Sequence, residues 1–335
     1  MKTSQILARS LIGGLICLNL SFIALPAAAY NIEQISETPD KSDFAIGPGK
    51  HELLLAPGES EVKTISVTNR YPNEKKFQID IEDFVGSRDL QSNIKLLADE
   101  KGPYSLKDYL HPEIMTFRLQ HGDRITIPIR VEIPLDAQPG GLFGAVIVRS
   151  IPLTKEEEAL AAGQAGGGIT VVSRVASLFF VRVKGDATED GRIKEFASDK
   201  QVYGEPPVNF RVIYENNGNV YLNPYGELTV NNAIGTKIAA LPIDPYYVMP
   251  DSLRLQELKL ERGFMFGRYT ATLTLHRGYL ENEVADSQTI AFWVLPWKVV
   301  IAIIIILFII VLFFKGVINW FHKNFERKNP KKSEK

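Results

Sequence analysis

The sequence predicts an all-β protein, two tandem β-sandwiches, with one helix at its C-terminal end. Three observations carry that expectation. Apolar residues recur at every second position over most of the chain, Pro-Gly and Asn-Gly turns punctuate those runs, and the stretch from Val299 to Phe314 contains no polar or charged residue. The formal net charge of −1 over 335 residues gives no global field of the kind that draws a protein to nucleic acid, so none is expected as a partner.

In chain order, residues 1–29 have the form of a secretory signal. Lys2 and Arg9 precede an apolar run from Leu11 to Leu25, and Ala27-Ala28-Ala29 supplies the small-x-small pattern of signal-peptidase recognition through Ala27 and Ala29. The only cysteine, Cys17, lies inside this segment and follows Ile16, which is too large for a lipoprotein site. The mature chain is therefore expected to have no disulfide, no thiol nucleophile and no thiolate metal ligand.

Residues 30–41 are expected to be a linker, and 42–184 a first sandwich. Phe77, Ile79 and Ile81 alternate with Gln78, Asp80 and Glu82, and Ile125, Ile127, Ile129, Val131 and Ile133 alternate with Arg124, Thr126, Pro128, Arg130 and Glu132. Pro128 removes a ladder donor, which places its strand at an edge or at a bulge. Ala56-Pro57-Gly58-Glu59 and Gln138-Pro139-Gly140-Gly141 read as turns. A short helix is expected over Leu106 to Leu110, with Ser105 as N-cap and Asp108 three residues on. The stretch 154–168 opens with Lys155-Glu156-Glu157-Glu158 and ends in Gly166-Gly167-Gly168, the composition of a flexible loop.

Polar residues and glycines at 185–191 mark a second linker, and 192–295 a second sandwich. Val208, Phe210, Val212 and Tyr214 alternate, as do Tyr269, Ala271, Leu273 and Leu275, and then Ile290, Phe292 and Val294. A weak repeat supports the tandem arrangement. Ile65 to Asn69, a turn and Phe77 to Ile81 have the same form as Phe210 to Tyr214, Asn216-Asn217-Gly218 and Leu228 to Val230. Tyr246-Tyr247 and Phe264-Met265-Phe266 cannot each turn every ring inward from adjacent strand positions, so they are candidates for a binding surface that could stack on sugars.

Residues 297–320 are expected to cross a membrane, with Trp297 and Trp320 at its two surfaces. Lys323, Arg327, Lys328, Lys331, Lys332 and Lys335, with Lys315 just before them, make 321–335 a basic tail that stays in the cytoplasm. The expected location is thus the cell membrane, single-pass, with the bulk outside. The lipid bilayer is a partner through the C-terminal helix.

Chemistry is sparse. His51, His111, His121, His276 and His322 form no HExxH or His-x-His pair, and there is no nucleophile elbow or phosphate loop. Asp80, Glu82 and Asp83, and Asp186, Glu189 and Asp190, could offer oxygens to calcium, but without an EF-hand pattern they read as a solvated face and a soluble linker. No catalytic residue, metal site or cofactor is expected, and the protein is not expected to be an enzyme.

Phe44-Ala45-Ile46-Gly47-Pro48, Leu55-Ala56-Pro57-Gly58-Glu59-Ser60 and Ile133 to Gly141 resemble the opening of the WxL-interacting protein family. Glu215-Asn216-Asn217-Gly218-Asn219-Val220, Pro224-Tyr225-Gly226-Glu227 and Phe292 to Lys298 are similar to its second half. The resemblance implies a signal peptide, two immunoglobulin-like domains, a C-terminal membrane anchor and a basic tail. It further implies that the first domain meets peptidoglycan and the second a surface or host partner. The matching motifs are turns and strand ends, so no ligand-binding residue is assigned. The function expected is a non-catalytic surface binding, adhesion or scaffolding protein that docks cell-wall polymer (peptidoglycan) or another surface protein. The alternative is a chaperone-like assembly factor that pairs a sheet edge with a client strand.

Overall fold

From Asn31 to Val183 the chain forms β1 (Asn31–Gln34), β2 (Phe44–Gly47), β3 (Lys50–Leu55), β4 (Ser60–Asn69), β5 (Lys75–Gly86), β6 (Ile94–Leu96), β7 (Leu110–Pro112), β8 (Thr116–Leu119), β9 (Asp123–Glu132), β10 (Gly140–Ile151) and β11 (Arg174–Val183). From Gly191 it forms β12 (Gly191–Ser198), β13 (Val202–Tyr203), β14 (Val208–Asn216), β15 (Tyr225–Asn232), β16 (Lys237–Ile243), β17 (Ser252–Leu260), β18 (Gly267–His276) and β19 (Ala285–Val294), and ends in α1 (Trp297–Glu326). These elements belong to a computed structural model that describes residues 30–36, 38–151, 173–278 and 284–326. The signal segment with Ala27 and Ala29, the glycine-rich loop at 154–168 and the tail beyond Glu326 lie outside the described residues.

The strands before Val183 make two sheets, β1-β9-β4-β2 with β7 also on β9, and β3-β11-β10-β5-β6 with β8 on β5. Period two decides which side chains meet between them. Ile65, Val67, Ile125, Ile127 and Ile129 from the first sheet close on Phe77, Ile79, Val146 and Phe179 from the second, all fully buried. The strands after Gly191 again make two sheets, β12-β14-β17 and β13-β19-β18-β15-β16. Phe210, Val212 and Tyr214 face Leu228, Val230, Leu273, Leu275 and Phe292 across them. Among the described residues every strand pairs within its own group, before Val183 or after Gly191.

Two local expectations are corrected. The strand containing Pro128 is not at an edge: β9 runs between β4 on one side and β1 and β7 on the other, without a register shift. β1 pairs with Asp123 to Thr126 and β7 with Ile129 to Val131. Pro128 therefore falls in the break between them, where the ladder asks for no donor, and its carbonyl still accepts from the Glu113 amide at 3.1 Å.

The helix expected over Leu106 to Leu110 is a single 3-10 turn, Lys107–Tyr109, and Ser105 does not cap it. The buried Asp83 carboxylate does that work from β5. Its Oδ1 accepts the Leu106 and Lys107 amides at 3.0 and 2.9 Å, and its Oδ2 the Gly102 amide at 3.0 Å.

The helix α1 is the one helix among the described residues long and apolar enough to cross a membrane, over Trp297–His322, with an 18-residue stretch of mean hydropathy 3.2, none of it buried against the rest of the chain. Beyond residue 320, where the expected span ends, the helix continues through Phe321 to Glu326.

Candidate functional site

A strand that changes sheets creates the site. β2 pairs with β4 only from Ser66 to Asn69, and β3 pairs in parallel with β11 only from Leu178 to Val183. The crossing at Gly47–Gly49 is pinned by two hydroxyls. Ser66 Oγ donates to the Gly47 carbonyl at 3.2 Å and Ser177 Oγ to the Pro48 carbonyl at 2.7 Å. Among the described residues, each half of the divided strand leaves one edge of part of its neighbour without a partner: residues 60–65 of β4 in one sheet and 174–177 of β11 in the other.

The two open edges differ in chemistry. On β4, Glu61 and Lys63 form an ion pair at 2.6 Å, the charged dressing that keeps an edge from recruiting another strand. On β11, Val175 packs against the main core and Ala176 against a second apolar cluster. The Leu178 and Lys184 amides donate to the Gly49 and Leu55 carbonyls, while the Ser173 carbonyl accepts from Ser150 on β10. Alternation thus aims the backbone groups of even residues toward the β3 side, where those of Arg174 and Ala176 have no strand paired with them among the described residues. Arg174 is itself held by an ion pair with Glu82 on β5. An incoming strand would meet these donors and acceptors with the small apolar side chains of Val175 and Ala176 beside them.

Beneath this edge the two strand groups meet. Phe84, Phe143, Ala145, Ile147 and Phe180 on the outer face of the β10 sheet are covered by Tyr221 and Met249 from the second group. Phe180 and Tyr221 pack edge to face with centroids 5.0 Å apart. Gly141 donates to the Asn219 carbonyl at 2.8 Å, so the Pro139-Gly140-Gly141 turn read from the sequence lies in the seam.

Glu215 closes the seam's polar side. Its side chain is 4% exposed and its two oxygens receive Arg88 at 2.8 Å, Arg192 at 2.7 Å and Lys194 at 3.0 Å. Hydrogen bonds from Lys194 and Arg192, then from Arg88, hold its pKa down to about 2. Arg88 comes from the loop after β5, so the contact joins the groups. Neither Glu215 nor Arg88 stood out in the sequence as a site residue.

The residues singled out by sequence do not converge. Asp80 pairs with Arg149 at 2.7 Å, Glu82 with Arg174, and Asp83 binds backbone amides. Glu189 pairs with Arg182. Among the described residues no group of three His, Cys, Asp or Glu is placed to hold a metal ion. His51 is buried and stacked on Phe179 at 4.5 Å, where burial first and then Lys63 lower its pKa. His121 contacts the Tyr71 carbonyl at 2.8 Å and His276 stacks on Tyr225. Tyr246 and Tyr247 both turn inward, because successive side chains enter different clusters: Tyr246 that of the second group, Tyr247 that of the seam. Phe264 and Phe266 are exposed on either side of the buried Met265, as alternation requires.

No protein-family model matches the chain and no curated protein matches it. Solved structures similar to it include the class 5 fimbriae chaperone CfaA, at 12% identity and TM-score 0.38, covering 74% of this chain and 98% of that one. A chaperone–tip adhesin complex of CFA/I fimbriae biogenesis is similar at 13% identity and TM-score 0.37, with the same coverage. So is the CsuC–CsuE chaperone–tip adhesion subunit pre-assembly complex of Acinetobacter baumannii Csu pili, at 10% identity and TM-score 0.35, covering 73% and 98%.

Proposed function

We propose that the chain is a non-catalytic, membrane-anchored assembly factor that holds an extended segment of another exported protein along the open edge of β11. One observation carries the reading: the backbone groups of Arg174 and Ala176 face away from β10 with no strand paired to them among the described residues, beside the small apolar side chains of Val175 and Ala176. Main-chain pairing at such an edge supplies affinity, and the client's alternate side chains supply specificity.

The signal segment, the exposed apolar helix α1 and the basic residues after it support an exported bulk held by one span, with the tail inside. The resemblance to the WxL-interacting layout supports the same placement and a reading of the strand groups as tandem immunoglobulin-like domains. A purely adhesive role on peptidoglycan finds less support, since the tyrosines best suited to stack on sugar, Tyr246 and Tyr247, are turned inward.

The test is site-specific photocrosslinking in cells. A benzophenone amino acid at position 176 is expected to capture a discrete client, and the same group at Val62 on the β4 edge is expected to capture none. Equal capture from both edges, or none from position 176, rejects the reading.

A further inference from the structure

The second strand group has two ends of opposite character. One carries the seam. The other gathers the loop 199–207, the β15–β16 hairpin, the segment 261–266 and the exit into α1, because the registers Gly267↔Val294, Asn232↔Tyr269 and Val202↔Trp293 bring them together. Large apolar side chains stand outward there: Ile234 is 86% exposed and Phe264 66%, with Phe266 and Trp293 nearly half exposed.

These side chains are held out by structure. At the hairpin tip Asn232 Oδ1 accepts the Ile234 and Thr236 amides at 3.2 and 2.9 Å, and Gly235 takes the left-handed φ of +83° that the turn requires. The Phe266 amide donates to the Tyr269 hydroxyl at 2.9 Å while Met265 fills the core, so Phe264 and Phe266 are committed to the outside. Rigid, outward apolar residues at a hairpin tip are unfavourable in water and mark a contact surface.

The chain length fixes what covers them. Only Leu295 and Pro296 separate β19 from α1, a reach of about 7 Å at most. Even that reach is taken up, since the Leu295 amide donates to the Tyr203 carbonyl at 2.7 Å and the Val299 amide to the Pro296 carbonyl at 2.9 Å. A bilayer entered at Trp297 must begin beside this end.

We infer that the end of the strand group bearing Ile234, Phe264, Phe266 and Trp293 seats in the headgroup layer of the membrane that α1 enters. The inference rests on α1 being a membrane span. Lys237 and Lys259 are paired there with Glu227 and Glu261, and Arg268 and Lys298 lie beside Trp293 and Trp297, so apolar side chains insert at the acyl boundary with basic ones at the headgroups. The second group then stands upright on the bilayer with its seam outward.

The test uses the full chain with Cys17→Ser, which leaves no cysteine, and single cysteines at Ile234, Phe264, Leu135 or Ile306 carrying an environment-sensitive fluorophore. The labelled proteins are reconstituted in phosphatidylcholine vesicles containing spin-labelled lipid. Leu135 is 87% exposed and lies at the seam end, so it reports background. Quenching at Ile306 by acyl-chain spin label, with quenching at Ile234 and Phe264 by headgroup spin label several-fold above Leu135, is the expected result. Quenching at Ile306 with Ile234 and Phe264 at the Leu135 level overturns the docking and leaves the anchor intact. No quenching at Ile306 overturns the anchor and the docking with it.

Discussion

Asn69 and Asn216 close the same corner in the two strand groups. Each is fully buried at the end of a strand. Each donates from Nδ2 to the carbonyl four residues on, Asn73 at 3.1 Å and Val220 at 2.8 Å, and to a more distant one, Leu119 and Val248, both at 2.9 Å. Each accepts at Oδ1 the amide two residues on, Tyr71 at 3.0 Å and Gly218 at 2.9 Å. An amide side chain is needed because one group must donate twice and accept once in a dry corner.

Asn69→Ala and Asn216→Ala are therefore expected to cost about 2–4 kcal/mol each, since three buried backbone groups lose a partner. Asp at either site is expected to be no better, because it cannot donate. Chemical denaturation of the single variants measures this, and a loss under about 0.5 kcal/mol would show that water replaces the side chain without penalty.

Glu215→Gln removes the negative charge that three half-exposed cations share. The expected loss is about 1–2 kcal/mol, below the figure for a fully buried ion pair because the cations keep contact with water. The pH dependence follows from the sign of the shift. A carboxylate held at about 2 against its ordinary 4.5 contributes fully above pH 4.5 and loses that contribution as pH falls toward 2. Acid titration of stability should thus be shallower in Glu215→Gln than in the parent, and parallel curves would refute the assignment.

Ala176→Pro tests the edge by deleting one donor. Its amide faces the open side, so the variant is expected to fold with a melting temperature near the parent's and to lose client capture. Phe180→Pro is the contrast: that residue faces β3 within a paired stretch, and the change is expected to destabilise the sheet by about 3 kcal/mol or more. Retention of capture by folded Ala176→Pro would move the binding site elsewhere.

Asp83→Ala leaves the Gly102, Leu106 and Lys107 amides without their shared acceptor. A loss of about 2–4 kcal/mol is expected, with raised hydrogen exchange confined to those amides at first. Asp83→Asn should recover part of the loss, since its carbonyl oxygen still accepts.

The strands that could be read from sequence are those with one face in a core. β9 and β18, and the first halves of β5 and β14, show clean alternation because water on one side and oil on the other leave no other order. The Asn69–Asn216 parallel was visible as a weak repeat, though not the bonds that give it meaning. β10 was harder, because both of its faces are covered and its side chains run apolar almost without alternation from Leu142 to Val148. Pro128 misled because a missing donor says that no partner is needed at one residue, and two short strands meeting end to end satisfy that as well as an edge does. The open stretch of β11 was not legible at all. It is the lack of a paired strand among the described residues, set by where β2 becomes β3, and no local composition records it. Glu215 and Arg88 are 127 residues apart, and each alone reads as an ordinary surface charge.

The exit from β19 into α1 has a mechanical consequence. β19 lies antiparallel to β18 over ten consecutive residue pairs, and only Leu295 and Pro296 join it to the helix. Traction applied by a client on the outer group would be met by those backbone hydrogen bonds loaded side by side in shear, instead of being peeled one after another. With α1 as the proposed membrane span, a pull would reach the lipid before the strand that carries it unravels.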